Sequence, residues 1–523
     1  MKIGSQIPIE IPADLSDYIF SGEHVVNIEY FVSTPPTRAP SGLQELYRLA
    51  QAKVNNKLYE FNPPLASLAL KSDDIASHEL HLYEALFGRD SLRVGMDLLS
   101  MFPQLTRATL LALASYQGTE TYARREEEPG RIPHEIRDAH DPIAQKQTEE
   151  FGWEWPYYGS VDATPEFIRT LAAYHNRTAK NENFLNQKFT DKNGVSRTMA
   201  DAFTGAADWI IRRTSKNPEG LLESKAAIPH GLENQAWKDS WDAYFDHSGR
   251  QANHKQGVAS IEVQRLAYDA LLDAAHLYDT VLNQPDKAKE ARISAEQLQR
   301  SIFTHFWTLQ RGGFFVLGTD RDDTGTLRQL DVRTSNMGHL LHSRLLAGDD
   351  PQKVTYREAI VRQLFSPEML TPSGIRTLAS DEPRFRPGAY HNGSVWLWDT
   401  HFIAKGLRRH GYNHLADTLG ERLFRVIDAT HAFPEFVRGD GSPAPMLNNR
   451  IVDVWDSTYE RMNRIEQPPQ QIQAWSVAAI LAIKHYNRMA AQRPKSNPSD
   501  FEQAILRQIS EYDLHLTEPL ELH

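Results

Sequence analysis

The sequence predicts an all-α protein whose helices close into a toroid. From about residue 43 onward, apolar residues recur at spacings of three and four, which is the periodicity of amphipathic helices. The sequence shows no alternation of helices with Val/Ile-rich buried strands, as a βαβ protein would have. It also shows no fixed-length repeat, which favours a closed ring of inner and outer helices over an open solenoid.

The helical segments number close to a dozen. They include SLRVGMDLLSMF, ATLLALASY, EFIRTLAAYH, ADAFTGAADWIIRR and SIEVQRLAYDALLDAAHLYDTVL, followed by SNMGHLLHSRLLAG, YREAIVRQLF, SVWLWDTHFIAKGLRRHG, LADTLGERLFRVIDAT and IQAWSVAAILAIKHYNRMAA. A dozen helices in pairs predicts an (α/α)6 barrel. The alternative is a generic all-helical protein.

The chain is predicted to hold a short N-terminal extension, residues 1–42, and one helical domain, residues 43–523. The extension contains a strand-like run, VVNIEYFV, and ends in STPPTRAPSG, whose prolines restrict the backbone. The chain has 523 residues, and large barrels use a few hundred residues around one core.

Charge and composition argue against several classes of partner. The chain has 57 Lys and Arg against 68 Asp and Glu, a net charge of -11, and no dense basic run, so nucleic acid is not expected as a partner. No apolar run is long enough to span a bilayer, and MKIGSQIPIEIPADLSDYIF lacks the layout of a signal peptide, so we expect no membrane partner and a cytoplasmic location. Without cysteine, the chemistry depends on carboxylates, His, Tyr, Lys or Ser. The oligomeric state is not indicated.

Four long linkers rich in Trp, Tyr, Gly, Pro and acidic residues separate the helical segments: 117–161, 217–257, 366–394 and 428–470. Long loops without regular structure are uncommon in compact domains unless they serve a function. Because these linkers recur after roughly every second helix, we expect them to gather on one rim and form a pocket.

The linker 217–257 contains a candidate general acid. In HGLENQAWKDSWDAYFD, Asp239 and Asp242 lie among Trp237, Trp241 and Tyr244. A carboxyl group beside indole rings is partly desolvated, which favours the protonated form that a general acid needs. Asp239 is the better candidate. The alternative is that Asp239 caps a helix that follows it.

The linker 428–470 contains a candidate general base. In HAFPEFVRGDGSPAP, Glu435 lies between Pro434 and Phe436, close to Arg438. A carboxylate held in such a turn can accept a proton from water, and the alternative is an exposed turn residue. Two carboxylates on different linkers of one rim are what glycoside hydrolysis requires.

The linker 117–161 combines many aromatic and polar side chains, and we predict that its segment 150–158 forms part of a sugar pocket. Aromatic faces pack against the C–H faces of pyranose rings while polar groups fix the hydroxyls. The alternative is that these aromatics close a core between helices. The residues concerned are His134, Glu135, Arg137, Trp153, Trp155, Tyr157 and Tyr158.

Metal signals are weak, and no metal or cofactor is expected. Residues 320–331 match part of a calcium loop through Asp320, Asp322, Gly325 and Asp331, but they lack the fifth-position ligand and the final Glu, so a solvated turn is favoured. The 21 histidines show no zinc spacing. Single residues such as His339 and His391 more often satisfy a local hydrogen bond.

Eight motifs in order make the chain resemble the (α/α)6-barrel glycosidases of the amylo-α-1,6-glucosidase (glycogen debranching enzyme C-terminal) and glycoside hydrolase family sixty-three group. They span most of the barrel: ALFGRDSLRVGMDLL, GRIPHEIR, PYYGSVDATPEF, ENQAWKDSWDA, TSNMGHLL, YHNGSVWLWDTHFIAKG, FPEF and QAWSVAA. The resemblance implies that Asp239 is the general acid and Glu435 the general base, in agreement with the choice made from local chemistry.

The resemblance also implies a sugar site lined by residues of the matching motifs, to which Trp155 is added from the aromatic linker. These are Arg89, Asp90, His134, Glu135, Tyr158, Asp162, Trp237, Lys238, His391, Asn392, Trp396 and Gln473. Debranching enzymes of this type usually carry a large domain before the barrel, whereas only a short segment precedes the first motif here. We therefore expect a small glycoside or oligosaccharide as substrate rather than glycogen.

The predicted activity is that of an exo-acting, inverting α-glycosidase, with α-glucosidase as the specific expectation. Inversion follows if Glu435 activates water, since a water must then fit between this carboxylate and the anomeric carbon. Two alternatives stay open: a sugar epimerase or isomerase that uses a His base on the same toroid, and a carbohydrate-binding protein without turnover.

Overall fold

The structure is a computed structural model. It describes residues 85–179, 183–430, 432–441, 450–456, 461–467, 469–470, 473–492 and 497–517. The predicted extension 1–42, its strand-like run and the predicted domain start at residue 43 lie outside the described residues.

The described chain is mostly helical. Its α-helices are α1 Gly88–Leu98, α2 Pro103–Ser115, α3 Pro142–Phe151, α4 Ala163–Thr178, α5 Met199–Ser215, α6 Ile261–Thr280, α7 Pro285–His305, α8 Pro351–Leu364, α9 Leu397–Arg409, α10 Asn413–Thr430, α11 Ala474–Ala491 and α12 Asp500–Thr517. Short 3₁₀ helices span Ala123–Arg125, Phe184–Asn186, Gln310–Gly312, Ser335–His342 and Arg344–Leu346.

Six of these segments form an inner ring. Helix α1 packs against α4, α4 against α6, α6 against the 3₁₀ helix Ser335–His342, this segment against α9, α9 against α11, and α11 back against α1. The helices α2, α5, α7, α8, α10 and α12 pack around the outside, each against its neighbours. Since inner and outer segments alternate along the chain, every linker from an outer to an inner segment enters the ring at the same end, which we call the mouth.

Local sequence explains where individual helices begin and end. Helix α5 begins with a capping box, in which Thr198 accepts a hydrogen bond from the Asp201 amide and Asp201 accepts one from the Thr198 amide. Helix α3 begins at Pro142 after Asp141, whose carboxylate accepts from two amides of the first turn, and ends at Gly152 in the left-handed conformation. The linker 117–161 therefore contains a helix of its own.

Short strands line the mouth. They are β1 Leu86–Phe87, β2 Glu135–Ile136, β3 Lys188–Thr190, β4 Ser196–Thr198, β5 Ala259–Ser260, β6 Trp307–Thr308, β7 Phe314–Phe315, β8 Gly318–Arg321, β9 Leu327–Leu330, β10 Leu370–Thr371, β11 Gly374–Ile375, β12 Val395–Trp396, β13 Phe436–Val437, β14 Arg450–Asp456 and β15 Arg461–Gln467. All pairs are antiparallel: β1 with β2, β3 with β4, β5 with β8, β6 with β7, β8 with β9, β10 with β11, β12 with β13, and β14 with β15.

Three of the strands immediately precede inner helices: β1 before α1, β5 before α6 and β12 before α9. Each pairs with a strand from another linker, so the pairing fixes the linker against the start of the helix. Two apolar clusters support this arrangement. One runs between most inner and outer helices, and the other joins α1, α9, α10 and α11 to the linkers through Trp237 and Phe436.

The helical periodicity predicted most elements correctly but mistook one. The segment SNMGHLLHSRLLAG forms the 3₁₀ helices Ser335–His342 and Arg344–Leu346 instead of one amphipathic α-helix. Every residue from Ser335 to Leu341 is buried, so the segment has no solvent face, and packing overrides its local preference. Gly338, for example, lies so close to α9 that a Cβ would come within 2.8 Å of Ile403.

Helices α7 and α12 were not among the predicted segments, and α3 lies within a segment predicted to be a linker. In the part of the chain that the structure describes, we find no helix that combines the length and the apolar character needed to cross a bilayer.

We predict opposite effects for two glycine substitutions in α1. A Cβ at Gly88 would lie 2.2 Å from the carbonyl oxygen of Pro133, whereas a Cβ at Gly95 meets nothing closer than 3.5 Å. Gly88→Ala should therefore push the 130–137 segment away from the mouth and destabilise the protein by about 1–3 kcal/mol. Gly95→Ala, the matched control, should stabilise it by up to about 1 kcal/mol because alanine favours the helix. Thermal unfolding measures both, and equal melting temperatures would contradict the close packing at Gly88.

Candidate active site

Arg89 connects three parts of the mouth. It lies in the first turn of α1, and its guanidinium donates to the Asp162 carboxylate at 3.2 Å and to the Ala236 carbonyl at 3.1 Å. A further nitrogen donates to Asp239 at 3.1 Å. Asp162, immediately before α4, also accepts from the Ser160 hydroxyl at 2.6 Å. One side chain thus joins the starts of two inner helices to the linker 217–257.

Asp239 does not cap a helix, because turns and bends follow it until α6 begins at residue 261. One quarter of its side chain is exposed. Burial raises the pKa of Asp239 to about 6, Arg89 opposes the rise, and the neighbouring Asp162 adds to it. The carboxyl group is therefore protonated in mildly acidic solution and can donate a proton there.

Two further carboxyl groups lie close to this pair. Burial raises the pKa of Asp90 to about 7, against the influence of Arg89, and the charges of Asp239, Asp162 and Glu435 raise it further. Asp90 therefore interacts electrostatically with both candidate catalytic carboxyls. Burial also raises the pKa of Glu135 to about 7, although this carboxylate is paired with Arg137.

His134 is held as a neutral imidazole. Burial lowers its pKa well below the usual value, and the charges of Arg89 and Arg131 lower it further. The ring packs edge-on against Phe87 at 5.5 Å and Tyr157 at 6.2 Å. Among the described residues, no group forms a hydrogen bond with its side chain. His134 therefore has a donor and an acceptor for another molecule.

Glu435 is buried, not an exposed turn residue. It directly precedes β13, whose pairing with β12 places it beside the start of α9. Its amide donates to the Gln470 carbonyl at 2.8 Å, and the Gln470 amide donates to one carboxylate oxygen at 3.1 Å. The Tyr390 hydroxyl donates to the other oxygen. These contacts fix the orientation of the carboxylate.

Aromatic rings pack behind the acid linker. Trp237 makes edge contacts with His391 at 5.3 Å, Trp396 at 5.8 Å and Trp398 at 5.1 Å. Trp396 stacks on His391 at 5.4 Å, and its indole N–H donates to the Tyr390 carbonyl at 2.9 Å. The indole of Trp396 is therefore used for internal packing.

Three of the predicted sugar-lining residues hold the acid linker on both sides of Asp239. Lys238 donates to the Thr377 carbonyl at 2.6 Å. His391 contacts the Ser240 hydroxyl through Nδ1 at 2.8 Å, and the Asn392 amide donates to the Asp242 carbonyl at 3.0 Å. Burial lowers the pKa of Lys238 to about 7, opposed by the charges of Asp399, Glu262 and Asp242.

The structure does not bring all predicted residues into this cluster. The indole N–H of Trp155 donates to the Ala144 carbonyl of α3 at 3.1 Å, and the ring is half-buried. Tyr158 is fully buried and donates to the Tyr116 carbonyl at 2.5 Å. Gln473 precedes α11, and its amide donates to the Phe433 carbonyl at 2.9 Å, which places it beside the Glu435 turn.

Sequence reasoning missed Tyr390, although it lies in the motif YHNGSVWLWDTHFIAKG next to His391. It also missed a buried network around Glu126, a residue with a left-handed backbone, φ 54°. Glu126 accepts from Gln235 at 2.5 Å and from Tyr157 at 3.1 Å, and Arg131 donates to Gln235 at 2.6 Å. This network ties the linker 117–161 to the linker that carries Asp239. No spacing in the sequence reveals it.

Residues 320–331 form the β8–β9 hairpin. Asp320 accepts from Arg250 and Arg328, and Asp322 accepts from the amides of Thr324 and Thr326 inside the turn. These carboxylates already have protein donors. In the part of the chain that is described, we find no group of three or more His, Asp or Glu side chains arranged to hold a metal ion.

The sequence profile of the mannosylglycerate hydrolase MGH1-like glycoside hydrolase domain matches residues 107–440, more than half of the chain. The chain belongs to this family. It is therefore a glycoside hydrolase with a carbohydrate substrate, and the resemblance recognised from the eight motifs is confirmed. A search of curated proteins found no significant match.

Two solved structures of the GH63 mannosylglycerate hydrolase from Thermus thermophilus are similar to this MGH1-like hydrolase. The complex with Tris has a TM-score of 0.51 at 13% identity, covering 86% of this chain and 100% of that chain. The complex with glucose has a TM-score of 0.48 at 14% identity, covering 79% and 95%. At these identities the first likeness shows a common fold.

We predict that the raised pKa of Asp90 makes it destabilising at neutral pH. The folded protein holds this proton up to about pH 7, whereas an unperturbed carboxyl loses it near pH 3.8, so folding stability falls as pH rises between these values. Asp90→Asn should therefore raise the melting temperature relative to the wild type more at pH 8 than at pH 4.

Asp97, in the same helix, is the matched control. Although burial alone raises its pKa, Lys405 and His401 lower it below the usual value. Its charge therefore stabilises the fold above pH 4, and Asp97→Asn should lower the melting temperature at pH 8. Equal pH profiles for the two variants would show that the Asp90 site is not electrostatically strained.

Proposed function

We propose that this MGH1-like hydrolase is an inverting, exo-acting α-glycosidase in which Asp239 is the general acid and Glu435 the general base, on a ring that is an (α/α)6 barrel. The observation that carries the proposal is the difference between the two carboxyl groups. Asp239 has a pKa raised to about 6, while Glu435 is oriented by two donors. Groups in such different environments suit opposite proton-transfer roles.

The mechanism begins with Asp239 protonated. As the bond between the anomeric carbon and the glycosidic oxygen breaks, Asp239 gives its proton to the leaving oxygen. Glu435 accepts a proton from a water molecule, whose oxygen bonds to the anomeric carbon from the opposite face. Arg89, 3.1 Å from Asp239, stabilises the carboxylate that proton donation leaves behind. Proton exchange with solvent then restores both groups.

We propose that the sugar contacts the groups that the fold leaves available at the mouth. The neutral His134 offers a donor and an acceptor, and Asp90 and Glu135 offer carboxyl groups for hydroxyls. Lys238, His391, Asn392 and Trp396 act mainly by holding the acid linker and its aromatic support. Trp155 and Tyr158 are proposed to shape the rim rather than to touch the reacting sugar.

The substrate class we propose is a small α-glycoside of an organic acid, with glycerate glycosides as the first candidates. The family name and the titles of the two Thermus thermophilus structures support this choice. An α-glucosyl unit is the prediction from sequence, and an α-mannosyl unit is the one that these names suggest. Membership in a glycoside hydrolase family favours hydrolysis over the epimerase and the carbohydrate-binding alternatives.

Substitution of either carboxyl group should remove activity without unfolding the protein. We expect Asp239→Asn and Glu435→Gln each to lower kcat on glucosylglycerate or mannosylglycerate by about 10²–10⁴-fold, the usual contribution of a general acid or base. Asp242→Asn is the control, because it removes a carboxylate of the same linker that has no proton-transfer role here. Sugar release is measured by chromatography and folding by circular dichroism. Full activity of either catalytic variant would exclude its assigned role.

The stereochemical course separates the inverting mechanism from a retaining one. An α-linked substrate should release the β-anomer first, because water attacks the face opposite to the leaving group. Proton NMR of the fresh reaction, before mutarotation, measures the anomer directly. First appearance of the α-anomer, or a sugar ester trapped on Glu435, would show that Glu435 acts as a nucleophile, while the protein would still be a glycosidase.

A further inference from the structure

Two connected cavities lie at the far end of the ring, where the inner helices end. The larger has a volume of about 320 Å³ and is lined in part by Arg177, Lys405 and Arg408. The smaller has a volume of about 20 Å³ and reaches Arg93 and Arg265 between the inner helices. The two share Met96, Asp97 and Lys405 in their walls. Neither is lined by the candidate catalytic residues.

The guanidinium of Arg265 in the smaller cavity is buried without a counter-ion. Arg265, on α6, is 1% exposed, and its Nε and Nη2 atoms have no hydrogen-bond partner. In the described chain it forms no ion pair, and its charged group contacts the Phe402 ring at 4.8 Å from the ring centre. The face of an aromatic ring attracts a cation but does not neutralise it.

The surrounding charges are paired with one another. Arg93 lies 3.3 Å from Glu166, and Arg169 lies 3.0 Å from Asp273. Arg344 lies 3.3 Å from Asp269 and 2.8 Å from Asp273. These described residues, with Arg265, make four arginines against three carboxylates, and Arg265 is the one without a carboxylate.

Other charged and titratable groups that line the cavity do not supply a counter-ion. Lys405 pairs with Asp97 at 2.6 Å. His342 is neutral, because burial lowers its pKa well below the usual value and nearby cations lower it further. Burial, together with the like charge of Arg93, also lowers the pKa of Arg265 to about 9. A buried unpaired charge is costly, so an anion that reaches this group gains a strong partner.

We propose that the smaller cavity binds a small monovalent anion, either a halide or the carboxylate head of an organic acid, as the counter-ion of Arg265. A volume of about 20 Å³ accommodates one particle of about the size of a water molecule. The larger cavity provides the entrance, and its cationic side chains attract an anion although the chain carries a net charge of -11.

The anion site adjoins the rings behind the acid linker. Phe402, which faces Arg265, also faces the guanidinium of Arg93 at 4.5 Å, and Arg93 lies over Trp398 at 5.3 Å. Trp398 packs against Trp237 at 5.1 Å. A bound anion therefore reduces the repulsion between the two arginines and stabilises the layer on which Trp237 rests.

The test is thermal unfolding of the full chain at constant ionic strength, with sodium gluconate replaced stepwise by chloride, bromide or acetate. Gluconate is too large for the smaller cavity. The wild type should show a saturating rise in melting temperature with the small anions, and Arg265→Gln should weaken the apparent affinity by about tenfold or more. Arg300→Gln is the matched control, since it removes the same charge from an exposed position of α7.

In gluconate alone, Arg265→Gln should melt at or above the wild-type temperature, because it removes an unpaired buried charge. A bromide peak beside Arg265 in anomalous diffraction from the wild type would give the location directly. A rise with acetate alone would identify a carboxylate as the anion, and a rise with halides alone a halide. Equal responses of the wild type and Arg265→Gln, or no bromide at Arg265, would overturn the proposal.

Discussion

A single guanidinium at the mouth of the ring has to balance three carboxyl groups. Arg89 contacts Asp90, Asp162 and Asp239, and all four side chains are largely shielded from water. One positive charge does not compensate three negative ones, so the proton that Asp239 retains at mildly acidic pH is a consequence of this imbalance. The inner helices begin here, and their N-terminal partial charges also favour negative groups.

The position of the acid depends equally on contacts made by its neighbours. Lys238, Ser240 and Asp242 are each held from behind, by Thr377, His391 and Asn392. All three partners come from the stretch that leads into α9, and the same stretch supplies Tyr390 to Glu435. One linker therefore sets the relative position of the two candidate catalytic groups. A shift of this linker would move both groups, which explains why it is so closely packed.

The sequence allowed the helices, the linkers and both carboxyl candidates to be predicted, because each has a local signal. Helical periodicity identifies α4 or α6 without any partner, and a carboxyl beside tryptophans indicates desolvation. The 3₁₀ helix Ser335–His342 could not be predicted, because its form results from burial on all sides. The hydrogen bond from Tyr390 to Glu435 joins residues 45 positions apart, and the Gln235–Glu126 contact joins residues 109 apart. Such pairs depend on how the linkers meet.

Closure of the ring has a consequence for biosynthesis. Helix α1 is made early, yet one of its two inner neighbours, α11, begins at Ala474. While the ribosome is still making the segments between them, one side of α1 has no partner, and its apolar residues Val94 and Leu98 lack the cluster that α11 completes. The inner ring is thus finished only when nearly the whole chain has emerged. Delay in the last stretch of translation would prolong exposure of that side, the period in which chaperones matter most.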